Sequence, residues 1–160
     1  MNKTELLARI APCSLLCHTC GGYEHGVLHE LSSQLLHYTQ GMTEFKATYS
    51  AESAQRFAAF RAQLGRLCNT GCGGCRTGRT PGCCINGCTV PDCTLAHGVD
   101  FCGLCAEFPC EKPRTFFEPI VYEQWLRGGE EIRQKGIEAY WEAHKSTPHY
   151  LPYIRKDGKQ

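Results

Sequence analysis

The chain has 160 residues, 42% of them hydrophobic and 21% charged, and a formal net charge of +1. That length suits one globular domain, the composition excludes a disordered chain, and the near-neutral balance offers no electrostatic footing for nucleic acid. Cysteine is the outlier, with 13 residues, ten of them between Cys68 and Cys110.

Residues 2–10 read as a short helix with Leu6, Leu7 and Ile10 on one face, ended by Pro12. No apolar run of signal-peptide length precedes the first cysteine, and no stretch approaches the length of a membrane span. The expected compartment is therefore the cytoplasm, where thiols stay reduced and a cysteine framework more often means metal than disulfides. Cys13, Cys17 and Cys20 then form a C-x3-C-x2-C cluster closed by Gly21-Gly22, a backbone able to turn tightly around an ion. The spacing recurs at Cys68, Cys72 and Cys75 without wider similarity between the two segments. It is also the spacing of radical S-adenosylmethionine enzymes. Thr19 stands where that superfamily has an aromatic residue, and the chain lacks the strand–helix alternation a barrel requires, which argues against such chemistry.

From Tyr23 to Gln40 the pattern is helical, with Leu28, Leu31, Leu35 and Leu36 at three- and four-residue steps. His25 and His29, four apart, are expected to share a face of this helix; without a third ligand or a carboxylate they read as ordinary solvated histidines. Gly41 is the expected C-cap. A second helical region spans Thr43 to Leu67, clearest from Ser50 to Leu64, with Phe57 and Phe60 as core residues and Gly65 as its end.

Between the cysteines of the central segment lie mainly Gly, Thr, Asn, Asp and Pro. Such a stretch cannot offset its chain entropy by burying hydrocarbon, so disulfides or metals must do so. The odd cysteine count and a reducing compartment favour metal. Two C-x2-C pairs, Cys72/Cys75 and Cys102/Cys105, each let two thiolates grip one ion from one turn, and two such pairs are a strong signal. Four-coordinate zinc takes ligands in pairs from two turns. The expected first site joins Cys17 and Cys20 to Cys72 and Cys75. The expected second joins Cys84 and Cys88 to Cys102 and Cys105, with Cys110 able to replace a member. A third, built from Cys13, Cys68, Cys83, Cys93 or Cys110, is arithmetically open. Each four-thiolate zinc site carries a formal −2, so two would move the net charge to about −3 and three to about −5.

Beyond Cys110, Pro113 and Pro119 bracket a connection through Phe116 and Phe117. Tyr122 to Arg127 reads as a short helix interrupted at Gly128-Gly129, and Glu130 to His144 as another, kinked or split at Gly136. The tail through Pro148, Tyr150, Pro152 and Tyr153 either packs across the helices or binds a partner, packing being the better fit. No strand pattern appears, beyond central turns that suit short zinc-ribbon-like hairpins. The expected fold is mainly α. It is a single small helical domain over 1–160, made of an N-terminal helix and cysteine cluster (1–22), a helical pair (23–67), an irregular cysteine-rich metal lobe (68–112) and C-terminal helices with a tail (113–160).

The run Gly98-Val-Asp-Phe-Cys102-Gly-Leu-Cys105-Ala-Glu-Phe-Pro-Cys110 closely resembles the signature of a cysteine-rich family of bacteria and archaea, a domain of unknown function described as zinc-binding. Ala11-Pro12-Cys13-Ser14-Leu15-Leu16-Cys17-His18-Thr19-Cys20 resembles its opening motif, with Leu16 where an acidic residue is common. Cys72-Gly73-Gly74-Cys75-Arg76 resembles its central motif. Cys84, Cys88 and Cys93 are similar to its next cysteines, with Asn86 where a basic residue is usual. Ile132 to Gly136 and Pro148-His149-Tyr150 are similar to its C-terminal helix and tail. The resemblance implies metal binding and supplies no reaction.

The metal ligands expected are thus drawn from Cys13, Cys17, Cys20, Cys72, Cys75, Cys84, Cys88, Cys93, Cys102, Cys105 and Cys110, holding Zn2+ at two sites or three. The expected role is structural, in an interaction or accessory module with a protein partner and no nucleic acid or membrane. Two alternatives stand beside it: an iron–sulfur electron-transfer protein, faintly suggested by Pro109 beside Cys110, and a thiol-based sensor of metal or oxidant, suggested by the surplus cysteine. A catalytic metal would need an open position and a base, for which Cys13 beside His18 is the available arrangement. No G-x-S-x-G, H-E-x-x-H or P-loop is present, and no recognition helix with a Lys/Arg cluster.

Overall fold

A computed structural model describes residues 1–77 and 85–154. Helix α1, Lys3–Arg9, begins in a capping box in which Asn2 and Glu5 each accept the other's backbone N–H. After the first cysteine cluster come α2 (Val27–Tyr38), α3 (Met42–Ala47) and α4 (Ala51–Cys68). The second half holds α5 (Val90–Ala96), α6 (Pro119–Lys135) and α7 (Ile137–His144), with single 3₁₀ turns at Cys102–Leu104, Lys112–Thr115 and Leu151–Tyr153. The chain is mainly helical, as its periodicity predicts.

Several boundaries differ from the sequence reading. Gly128 and Gly129 do not interrupt a helix: α6 runs straight through them, and their lack of side chains serves packing instead. A Cβ on Gly128 would stand 2.3 Å from Ser14 Oγ, and one on Gly129 2.6 Å from the Phe108 ring. The split falls at Gly136, whose φ of 83° caps α6 and opens α7. Gly65 likewise lies inside α4, which continues to Cys68. His25 sits in the turn before α2, so it shares no helical face with His29. Among the described residues no hairpin forms; the extended pairings are two isolated bridges, Ile10 with Leu16 and Tyr23 with Cys72.

Two apolar clusters hold the body together. The first gathers Leu6 and Ile10 of α1, Leu16, Phe101, Ile132 of α6, and Tyr140 and Trp141 of α7. The second surrounds the fully buried Trp125 with Phe108, Phe117, Val121, Val90, Ala11 and Cys13. Cys17, Cys75, Cys88, Cys102 and Cys105 pack along the margin of this second cluster, so the thiols border hydrocarbon on one side. Helices α2, α3 and α4 pack chiefly on one another. Their shared core is thin: Ser32, Ala54 and Leu64 are buried, while Leu31 (51%), Leu35 (45%) and Phe60 (44%) remain exposed. Leu31, Leu35 and Phe60 therefore do not supply the core face that their spacing suggests.

Candidate metal centres

The first centre forms where three loops meet. Pro12 stops α1, and the chain turns back so that Ile10 pairs with Leu16 and the His18 N–H reaches the Arg9 carbonyl at 3.1 Å. The Cys20 N–H bonds the Cys17 carbonyl at 2.9 Å, a tight turn that sets the two thiols side by side. Tyr23 then pairs with Cys72, and the Glu24 N–H donates to the Cys72 carbonyl at 3.0 Å, which brings in the second C-x2-C turn. The Cys17 thiol sits among the other three cysteines of this set. Burial, then the charges of Cys20 and Cys72, push it up to about 12, against the weaker pull of Arg76 and of a hydrogen bond from the Cys75 backbone. Cys20 Sγ accepts the Gly22 N–H at 3.4 Å and lies 3.7 Å from the Tyr150 hydroxyl, which also accepts the Gly21 N–H at 3.1 Å. The aromatic tail thus folds over this centre.

The second centre lies against Trp125. The 3₁₀ turn at Cys102–Leu104 is closed by the Cys105 N–H on the Cys102 carbonyl at 2.9 Å, and the Cys102 N–H is anchored on the Pro12 carbonyl at 2.9 Å. Cys93, from α5, and Cys110 complete the group: with Cys102 and Cys105 they line a cavity of about 20 Å³. That is room for a single ion or water. Burial pushes the Cys102 thiol up to about 11; the Trp125 N–H pulls it down, and the charges of Cys110, Cys93 and Cys105 push it up. Trp125 Nε1 is otherwise a buried donor without a hydrogen bond of ordinary geometry. Lys112 Nζ approaches Cys93 Sγ at 3.9 Å.

Two arginines, which the sequence reading met in motifs without giving them a role, fix the loops. Arg76 donates to the carbonyls of Leu7, Ile10 and Asp100, and its guanidinium lies 4.8 Å from the Phe101 ring centroid. Arg133 donates to Gly103 O (2.6 Å), Cys105 O (2.7 Å) and Phe108 O (3.3 Å), stacking 5.1 Å from the Phe108 ring. A planar five-donor fork can satisfy several carbonyls of an irregular loop at once. The sequence hint was the adjacency of Arg76 to Cys75; for Arg133, on a distant helix, it was no more than a place in the Ile132–Gly136 run.

The remaining expected ligands are placed as follows. Cys68, at the end of α4, has Ser33 Oγ at 3.3 Å and the His29 carbonyl at 3.9 Å. Cys13 is buried in the Trp125 cluster and lies near Arg76 and Tyr140. Cys88 borders the same cluster. Cys83 and Cys84 lie outside the described residues, and with them the expected pairing of Cys84 and Cys88 with Cys102 and Cys105. Cys93, Cys105 and Cys110 lie around Cys102. His18, read beside Cys13 as a base, has its ring 5.1 Å from Trp141 and 3.4 Å from Arg9. His25 is exposed, 3.4 Å from Glu24. Among the described residues, no group of three or more His, Cys, Asp or Glu side chains is arranged so that it could hold a metal ion as it stands.

The donor chemistry nevertheless fits a metal. Two forces hold the Cys17 and Cys102 thiols protonated, burial and the mutual repulsion of neighbouring thiolates, and a bound cation reverses both. Trp125 Nε1 and the Gly22 N–H are donors whose natural acceptor is thiolate sulfur.

A mainly helical domain with thiols gathered on irregular loops defines the class. Residues 9–115 match the family described as Protein of unknown function (DUF3795), and the chain belongs to that family. No curated protein and no solved structure matches the chain significantly. Among the described residues no helix is long and apolar enough to cross a membrane.

Proposed function

We propose that the chain is a zinc protein with two structural centres, Cys17–Cys20–Cys72–Cys75 and Cys93–Cys102–Cys105–Cys110, and that it works as a cytoplasmic interaction or accessory module. The observation that carries this reading is the gathering of thiols from separate turns into two groups, one where the Cys17 turn meets the Cys72 turn, one around the small cavity beside Trp125. Four soft sulfur donors in pairs suit tetrahedral Zn2+, which would supply cross-linking and no redox chemistry. Zinc at the first centre would tie the start of the chain to residue 75. At the second it would tie α5 to the loop that Arg133 holds. Elemental analysis of anaerobically purified protein, with its visible spectrum, tests the assignment. About two zinc ions per chain and no colour are expected. Iron with labile sulfide and a brown protein would replace this reading with electron transfer.

A further inference from the structure

One concavity has none of the thiols in its lining. It measures about 390 Å³, ample for a small organic molecule, and lies between the Leu15–Thr19 loop, α6, α7 and the tail from Thr147 to Pro152. One strip of α6, Gln124, Arg127 and Glu131, lines it at three- and four-residue steps. Its polar groups divide into two sets. Glu131 is already paired, with His144 Nε2 at 2.7 Å and Lys135 Nζ at 3.1 Å. Tyr140 donates its hydroxyl to Ser14 O at 2.8 Å, and His149 Nδ1 donates to Leu16 O at 3.0 Å. The other set has no protein partner among the described residues. Thr19 lines the cavity, is 7% exposed, and its Oγ1 is a buried hydroxyl without a hydrogen-bond partner. Arg127 makes no hydrogen bond or ion pair among the described residues. Leu15, Leu16, Leu151 and Pro152 supply apolar walls.

We propose that this cavity is a binding site for a small monocarboxylate with an apolar body, its carboxylate taken by Arg127 with Thr19 and Gln124 and its hydrocarbon by the leucines. An anion is favoured over a cation because the acidic group present is doubly paired while the arginine is not. The site shares the Leu15–Thr19 loop with the first thiol centre but needs no metal for its contacts.

The test is titration of the isotopically labelled full chain with butanoate, hexanoate and octanoate, and with hexanamide as the uncharged isostere, followed by amide NMR shifts. Hexanoate is expected to move the signals of Thr19, Gly128 and Thr147, and hexanamide to bind about tenfold more weakly, the effect of losing a charge-assisted hydrogen bond. Arg127→Gln should weaken hexanoate by a similar factor while leaving the melting temperature unchanged, since the side chain is exposed and unpaired. Thr19→Val should also weaken it without lowering the melting temperature. Absence of shifts at these residues with all three acids, equal binding of hexanoate and hexanamide, or undiminished binding by Arg127→Gln would each overturn the assignment.

Discussion

Arg133 shows how much of an irregular loop can rest on one side chain. Its guanidinium satisfies three carbonyls that the turns around Cys105 leave without partners in a helix or sheet. Arg133→Ala should cost about 1–3 kcal/mol, measured by denaturant unfolding, and Arg133→Lys should recover only a fraction, because a single ammonium cannot copy the fork. His149 gives a pH signature. Burial holds its imidazole below the usual 6.5, outweighing the hydrogen bond to Leu16. Because the folded value is depressed, stability is present above 6.5 and is lost as pH falls through the folded value, the unfolded chain binding a proton the fold resists. Glu131 behaves alike at lower pH: its burial pushes it up, but hydrogen bonds from His144 and Lys135, with their charges, hold it below 4.5. Between about pH 7.5 and 5.5, His149→Gln should therefore lose less melting temperature than the unaltered chain.

At the scale of elements, glycines on two helices make opposite predictions. Gly103 and Gly129 touch backbone to backbone, and a Cβ on Gly103 would come within 2.1 Å of the Gly129 carbonyl oxygen. Gly103→Ala must push the Cys102–Cys105 turn off α6. It should destabilise by about 1–3 kcal/mol and disturb the second centre, read as lowered zinc affinity. Gly65, in α4, faces open space, so Gly65→Ala should stabilise by about 0.5–1 kcal/mol in the same unfolding assay. The sequence could not separate these cases. Periodicity announced α1, α2, α4 and α7, because a helix is local; α5, buried in the cysteine-rich stretch, gave no such signal. Whether Gly128-Gly129 breaks a helix or admits a neighbouring loop depends on residues over a hundred positions away, such as Ser14. The same limit governs the thiols. The C-x2-C pairs were legible because each is one turn. Cys110 was legible as a possible member of the second set, but the company of Cys93 was not, because α5 and the Phe108 loop meet through packing on Trp125.

Across the whole molecule, the metal reading makes selective demands. Cys75→Ser and Cys105→Ser should each leave about one zinc per chain and lower the melting temperature, whereas Cys68→Ser and His25→Ala should keep both ions, as counted by elemental analysis. Equal zinc in all four variants would discard the proposed ligand sets. The pairing of Tyr23 with Cys72 carries one more implication. The chain leaves the body there, travels through α2, α3 and α4, and returns to the same point, with those helices resting chiefly on each other. Since the ends are pinned together, the length of the excursion matters little: doubling such a loop costs only about 0.6 kcal/mol. This arm is where evolution can lengthen, trim or redecorate the chain, and where an engineer can graft a foreign segment, without asking the thiols to move.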